Sequence, residues 1–197
     1  MNKRQFFKIG LLGVGALVLS KKTSALEYYP TKNDKKWAIL YSTWCGSSRD
    51  AAIWISEGMD GIANVFDVRE NPDLSGYQNI IVGGSIRGGE VSEEMKKYLG
   101  RNNPILKNRI CGLFVVCGNM MKPPTPQQTT ELIDNRLAKL CKVKSVVSKV
   151  FLGRVTYGLM DDEARKMLKG FNMPEYDNLK RSDCMAFGKE IINSTKQ

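Results

Sequence analysis

Trp37-Ala38-Ile39-Leu40-Tyr41-Ser42-Thr43-Trp44-Cys45-Gly46-Ser47-Ser48 is the stretch on which the fold turns. Its opening residues are apolar without alternation, which suits a strand over 37–43 buried on both faces, as in a parallel sheet. Behind it Ala51, Ala52, Ile55 and Met59 recur at helical spacing until Gly61 interrupts them, so a helix is expected over 47–59. Hydroxyls and a glycine therefore fall where a strand hands over to a helix N-terminus. Unpaired N–H groups and the positive end of the helix dipole point to one spot there, an arrangement that holds anions. The segment has neither a Gly-x-Gly-x-x-Gly fingerprint nor a Gly-Lys-Ser/Thr loop. Without lysine, Ser42, Thr43, Trp44, Cys45, Gly46, Ser47 and Ser48 suit a single phosphate held by neutral donors.

Outward from this point, apolar runs place further strands at 65–68, 79–85, 109–117 and 146–157, and helical spacing places helices at 92–99, 129–141, 161–169 and 181–192. Strands alternating with helices imply an α/β, doubly wound parallel sheet of five strands, covered on both faces. In such sheets ligands bind beyond the carboxyl ends of the strands. Two more loops fall on that edge. Gly83-Gly84-Ser85-Ile86-Arg87-Gly88-Gly89 has four glycines that would let backbone approach a flat ligand, and Arg87 brings a permanent cation, the residue expected to act in catalysis beside ligand or substrate. Cys117, Gly118 and Asn119 add backbone and amide donors.

The chain has 197 residues, a net charge of +10 and no histidine. Catalytic triads built on imidazole, histidine-ligated zinc and a histidine general base are thereby excluded. Chemistry must come from a cofactor or from Cys, Lys, Tyr or carboxylates. Residues 1–25 hold Lys3, Arg4, Lys8, Lys21 and Lys22 without an acid, so the remaining 172 residues carry only +5. No Arg-rich or aromatic-interleaved run accompanies that charge, which argues against nucleic acid. Five cysteines without zinc or iron–sulfur spacing read as core thiols, with no metal site and at most one pair among Cys45, Cys141 and Cys184. Cys111 and Cys117, six apart on one strand, should face the same side.

Residues 1–25 form a signal segment: a basic start, an uncharged run from Ile9 to Ser20 too short to span a bilayer, and Thr23-Ser24-Ala25 at its end. Lys3-Arg4-Gln5-Phe6-Phe7-Lys8 resembles the twin-arginine export pattern, with Lys for the first Arg. Residues 26–36 read as a linker and 37–197 as the functional domain.

Leu40-Tyr-Ser-Thr with Gly46-Ser47-Ser48, Ile81-Val-Gly-Gly-Ser-Ile-Arg87-Gly-Gly, and Lys122-Pro123 with Thr125-Pro126-Gln127 carry a family resemblance. The chain resembles flavodoxin-type domains, and among them the menaquinone-dependent protoporphyrinogen IX dehydrogenases, from about residue 38 to 192. That resemblance implies strand order 2-1-3-4-5 and one FMN, with its phosphate on 42–48 and its ring between 85–89 and 117–121. It implies an oxidoreductase working with a redox partner protein, a quinone or a small molecule, with a peripheral membrane contact; export, to the periplasm or the outer face of the cytoplasmic membrane, is what the leader implies. The acidic run Gly158-Leu-Met-Asp-Asp-Glu163 departs from the basic segment of those dehydrogenases. An electron carrier and a flavin-free interaction module are the alternatives.

Overall fold

The computed structural model describes residues 36–118, 120–144 and 146–195. Five parallel strands form the central sheet: β1 (Trp37–Ser42), β2 (Ala63–Asp67), β3 (Asn79–Arg87), β4 (Ile110–Cys117) and β5 (Val147–Leu152). Their order is β2-β1-β3-β4-β5, as the resemblance implies. Ile39 pairs with Val65 on one side and Ile81 on the other, and β1 is buried along its whole length. Residues of alternating parity feed two cores. Leu40, Val82, Leu113 and Val115 pack under α2 (Glu93–Leu106) and α3 (Pro126–Thr129, Thr130–Ala138 and Lys139–Cys141). Ile39, Ile81, Phe114 and Val116 pack under α1 (Ser47–Gly58) and α5 (Arg181–Thr195).

β4 departs from the expected parity. Ile80 pairs with Ile110 but Ile81 pairs with Gly112, so Cys111 is an extra residue in a bulge. Cys111 consequently packs with the α1/α5 core and Cys117 with the α2/α3 core, on opposite faces rather than the same one. All five cysteines are free, and the optional pairing among Cys45, Cys141 and Cys184 does not form.

α2 runs past the expected stop at Leu99. Ser92 caps it by accepting from the Met95 N–H at 3.3 Å, and burial of Leu106, seven residues after Leu99, rewards another two turns. Pro104 lies inside it and has no N–H to give the Gly100 carbonyl. α3 starts earlier than expected, at Pro126, because Thr125 and Gln128 form a capping box. Its middle, Thr130–Ala138, is wound as a π-helix.

The expected fifth strand is split. β5 ends at Leu152, and after Gly153 the pair Arg154–Val155 joins Tyr176–Asp177 in a separate antiparallel ribbon. A Cβ on Gly153 would lie 2.9 Å from the Gly118 backbone, so the chain turns away from the sheet where only glycine fits. Asn178 N–H donates to the Gly153 carbonyl at 3.1 Å and closes the neck of this excursion. Between the ribbon strands lies α4 (Asp162–Gly170), capped by Asp161, which accepts from the Ala164 N–H at 2.7 Å. Val155, Met160 and Ala164 form a small core of their own, packed by Leu168, Met173 and Tyr176.

α1 and α5 cross at glycines. A Cβ on Gly58 would lie 2.1 Å from the Met185 carbonyl oxygen, and one on Gly188 would lie 2.3 Å from that of Ile55. Arg181 adds a bidentate contact to Glu57 at 2.7 Å. Among the described residues no helix is long and apolar enough to cross a membrane.

Candidate functional site

The carboxyl ends of β1, β3 and β4 converge on one edge. There the β1–α1 loop is shaped by Gly46, the N-cap of α1, at φ +82°. Its N–H donates to Thr43 Oγ1 at 3.0 Å, which closes the loop. No side chain caps α1, so the N–H groups of its first turn have no side-chain acceptor. Ser48, in the first turn of α1, and Ser42, at the end of β1, are buried at 0% and 2% exposure, and neither hydroxyl has a hydrogen-bond partner among the described residues. The hydroxyl of Ser85, arriving from β3, is also buried without one. Unsatisfied hydroxyls at Ser48, in the first turn of α1, and at Ser85, on the neighbouring strand, are a costly arrangement unless a ligand or water supplies partners.

Next to this cradle lies a pocket of about 160 Å³. Thr43, Trp44, Cys45, Ser47, Ser85, Ile86, Arg87 and Gly118 line it, so most of the expected residues meet there. Gly46 and Ser48 belong to the cradle beneath, whereas Ser42 turns its hydroxyl toward Gly84 on the α2/α3 side of the sheet. Cys117 does not take part through its side chain, which is buried in the α2/α3 core. Asn119 lies outside the described residues.

The glycine-rich loop is built differently from expectation. Gly83 and Gly84 are inside β3, where a Cβ would lie 2.2 Å from the Phe114 ring or 2.3 Å from Ser42 Oγ. They serve strand packing. β3 then continues to Arg87, and Gly88 and Gly89, at φ +59° and +80°, turn it back so that Arg87 pairs with Glu90. Those two glycines face open space and do not line the pocket.

Arg87 stands at the mouth. Its guanidinium reaches Asp161 at 3.1 Å and lies 5.8 Å from the centre of the Trp44 ring. Trp44 is 36% exposed, but one face is thus covered by the cation. The N–H of Ala164 holds the Asp161 carboxyl below its ordinary range, and Arg87 adds to this. Burial pushes the Cys45 thiol up, Asp161 pushes it further, and Arg87 opposes both. Near neutral pH Asp161 is therefore a carboxylate and Cys45 a thiol. Neither is poised to exchange protons.

The opposite wall consists of Arg154, Val155, Met160, Ala164, Met167 and Leu168, all from the excursion after β5. Sequence reasoning missed them, because periodicity extended the fifth strand through Arg154 and Val155. The available signal was Gly153 interrupting that run. Arg154, 13% exposed, bridges Asp50 of α1 at 2.9 Å and Asp177 at 3.3 Å, and Tyr176 donates its hydroxyl to the Gly118 carbonyl. The excursion is thereby fixed to both the first helix and the third loop.

A protein family described as the flavodoxin domain matches residues 38–180. No curated protein matches the chain. Among solved structures, oxidised flavodoxin 1 from Bacillus cereus is similar at 16% identity and TM-score 0.53, covering 81% of this chain and 98% of its own. A flavodoxin, WrbA-like protein from Agrobacterium tumefaciens is similar at 13% identity and TM-score 0.53, over 83% and 98%. Rubredoxin oxygen:oxidoreductase from Desulfovibrio gigas is similar at 13% identity and TM-score 0.51, over 82% of this chain but 36% of that one.

Proposed function

This chain belongs to the flavodoxin domain family, and from that premise we propose that it is an FMN-binding oxidoreductase. The observation that carries the reading is the cradle: the buried Ser48 and Ser85 hydroxyls, without partners among the described residues, at a lysine-free, uncapped helix N-terminus. That donor set, neutral hydroxyls and N–H groups at one helix N-terminus, fits one phosphate. Thr43, Ser47, Ser48 and the first-turn N–H groups of α1 would hold the phosphate, and Trp44, Ser85, Ile86 and Arg87 would flank the ring. When bound, FMN supplies hydride and single-electron transfer. The protein's own part is to orient, to exclude water with Met160, Met167 and Leu168, and to keep the Arg87 charge beside the pocket.

An enzyme acting on a small, flat molecule is favoured over a protein-to-protein carrier by one feature. The excursion after β5 walls the pocket with apolar side chains instead of leaving its edge open. Oxidation of protoporphyrinogen IX with transfer to menaquinone is the specific activity that the residues at 40–48 and 81–89 suggest; its partners would be a quinone and the membrane surface that holds it. Residues 1–25, outside the described residues, would act as a twin-arginine-type leader that exports the domain already folded and loaded.

The test is to denature the purified protein and identify what it releases. FMN is expected, with holoprotein absorbance near ~450 nm. FAD, or no flavin after reconstitution, refutes the reading. Anaerobic turnover with protoporphyrinogen IX and a menaquinone analogue then separates the enzyme, which forms porphyrin, from the carrier, which does not.

A further inference from the structure

Basic charge is concentrated in one stretch of the sequence. Residues 91–149, which include α2, β4 and α3, hold eleven basic and four acidic residues, although residues 26–197 together carry only +5. Within this segment α2 and α3 enclose a cleft of about 600 Å³, in the size range of small-molecule sites. Two of its five cations are already neutralised. Lys96 pairs with Glu90 at 3.2 Å and Glu93 at 2.9 Å, and Arg136 with Glu90 at 2.6 Å and Glu131 at 2.9 Å. Lys107, Lys139 and Lys142 make no side-chain ion pair or hydrogen bond among the described residues, and each is exposed.

The cleft also offers acceptors. Pro104 cannot donate to the Gly100 carbonyl, and Gly100 has open space where a side chain would stand. Both line the cleft, so the helix presents a notch at a carbonyl that lacks its usual i+4 donor. At its floor Asn103, 4% exposed, gives its amide N–H to the Leu140 carbonyl at 3.0 Å and leaves Oδ1 without a partner among the described residues. The facing wall comes from the π-wound part of α3, a helical form that concentrates at functional sites.

We propose that this cleft binds a multiply phosphorylated small molecule that also carries N–H or O–H donors, the chemistry of a nucleoside polyphosphate. Lys107, Lys139 and Lys142 take the phosphates, and the Gly100 notch takes the donors. The site is separate from the sheet-edge cradle and does not depend on FMN binding there.

Calorimetric titration with ATP, inorganic pyrophosphate and adenosine tests it on the full chain. ATP should bind, pyrophosphate more weakly and adenosine not at all. Lys139→Glu with Lys142→Glu should raise the ATP Kd by at least about tenfold, the loss expected when two charge-assisted contacts are reversed. Gly100→Leu, which fills the notch without altering charge and suits a helix, should weaken ATP towards the pyrophosphate value with an unchanged circular dichroism spectrum. Gly46→Val, which distorts the cradle, should leave ATP binding intact. Absence of ATP binding, or a Kd within twofold of wild type in the double variant, overturns the proposal. So does loss of ATP binding in Gly46→Val, which would move the ligand to the cradle. Pyrophosphate binding as tightly as ATP removes the donor-recognising part.

Discussion

Replacing Gly46 by alanine should separate backbone strain from steric crowding at the cradle. Gly46 sits at φ +82° and ψ −14°, and a Cβ there would meet nothing nearer than the Arg49 guanidinium at 3.9 Å. That group ends a flexible, exposed side chain, so no clash arises. The whole cost is then conformational, about 1–2 kcal/mol for an L-residue held in left-handed space. This loss must appear somewhere along the path from unfolded chain to loaded protein. If the free loop keeps its shape, urea denaturation of the apoprotein shows all of it and FMN affinity is unchanged. If the free loop relaxes, affinity falls instead, by a factor of about 5 to 30. The assay is therefore paired: apoprotein unfolding by urea and FMN titration by quenching of flavin fluorescence. The two losses should sum to about 1–2 kcal/mol, and Cys45→Ser, which leaves the turn intact, should show neither. A sum near zero would refute the reasoning, since it would mean that the loaded cradle does not require the Gly46 conformation.

Arg87→Ala should cost less than about 1 kcal/mol of stability, because its Asp161 partner is half exposed. It should make the potential of the bound flavin more negative by removing a cation from the pocket. A redox titration paired with a thermal melt checks both, and an unchanged potential with a melting temperature several degrees lower would assign Arg87 to structure alone. Stability should also fall at alkaline pH. Burial lifts the Cys111 thiol to about 11 and those of Cys117, Cys141 and Cys184 to about 12, from an ordinary 9.0. The folded chain thus keeps protons that the unfolded chain releases, so the thiols' contribution is complete below pH 9 and lost as pH rises through 11 to 12. Urea midpoints measured below pH 9 and near pH 11 should decline, and equal midpoints would contradict the burial of these thiols.

How legible the molecule was depended on whether a feature is local. β1, β4 and α1 followed from unbroken apolar runs and from the spacing of Ala51, Ala52, Ile55 and Met59. The cradle was legible too, since its hydroxyls and glycine are contiguous. The Cys111 bulge was not, because a bulge depends on the register of a neighbouring strand. Likewise Gly83 and Gly84 read as ligand glycines, yet Phe114 and Ser42, which require their smallness, come from β4 and β1. The outer wall of the pocket failed for a related reason. Arg154–Val155 has strand character, but its partner is Tyr176–Asp177 and not the main sheet.

The glycine crossing of α1 and α5 has a consequence for timing. α1 carries the cradle at its N-terminus, yet the face it buries is covered by the last helix of the chain, with Arg181 reaching Glu57 across 124 residues. An isolated helix of 12 residues is marginal in water. While the ribosome is still extending the polypeptide, α1 therefore lacks the neighbour that holds it in place. Ligand capture at the cradle must wait until α5 has left the exit tunnel, and a chain truncated ahead of α5 would be unable to retain its cofactor.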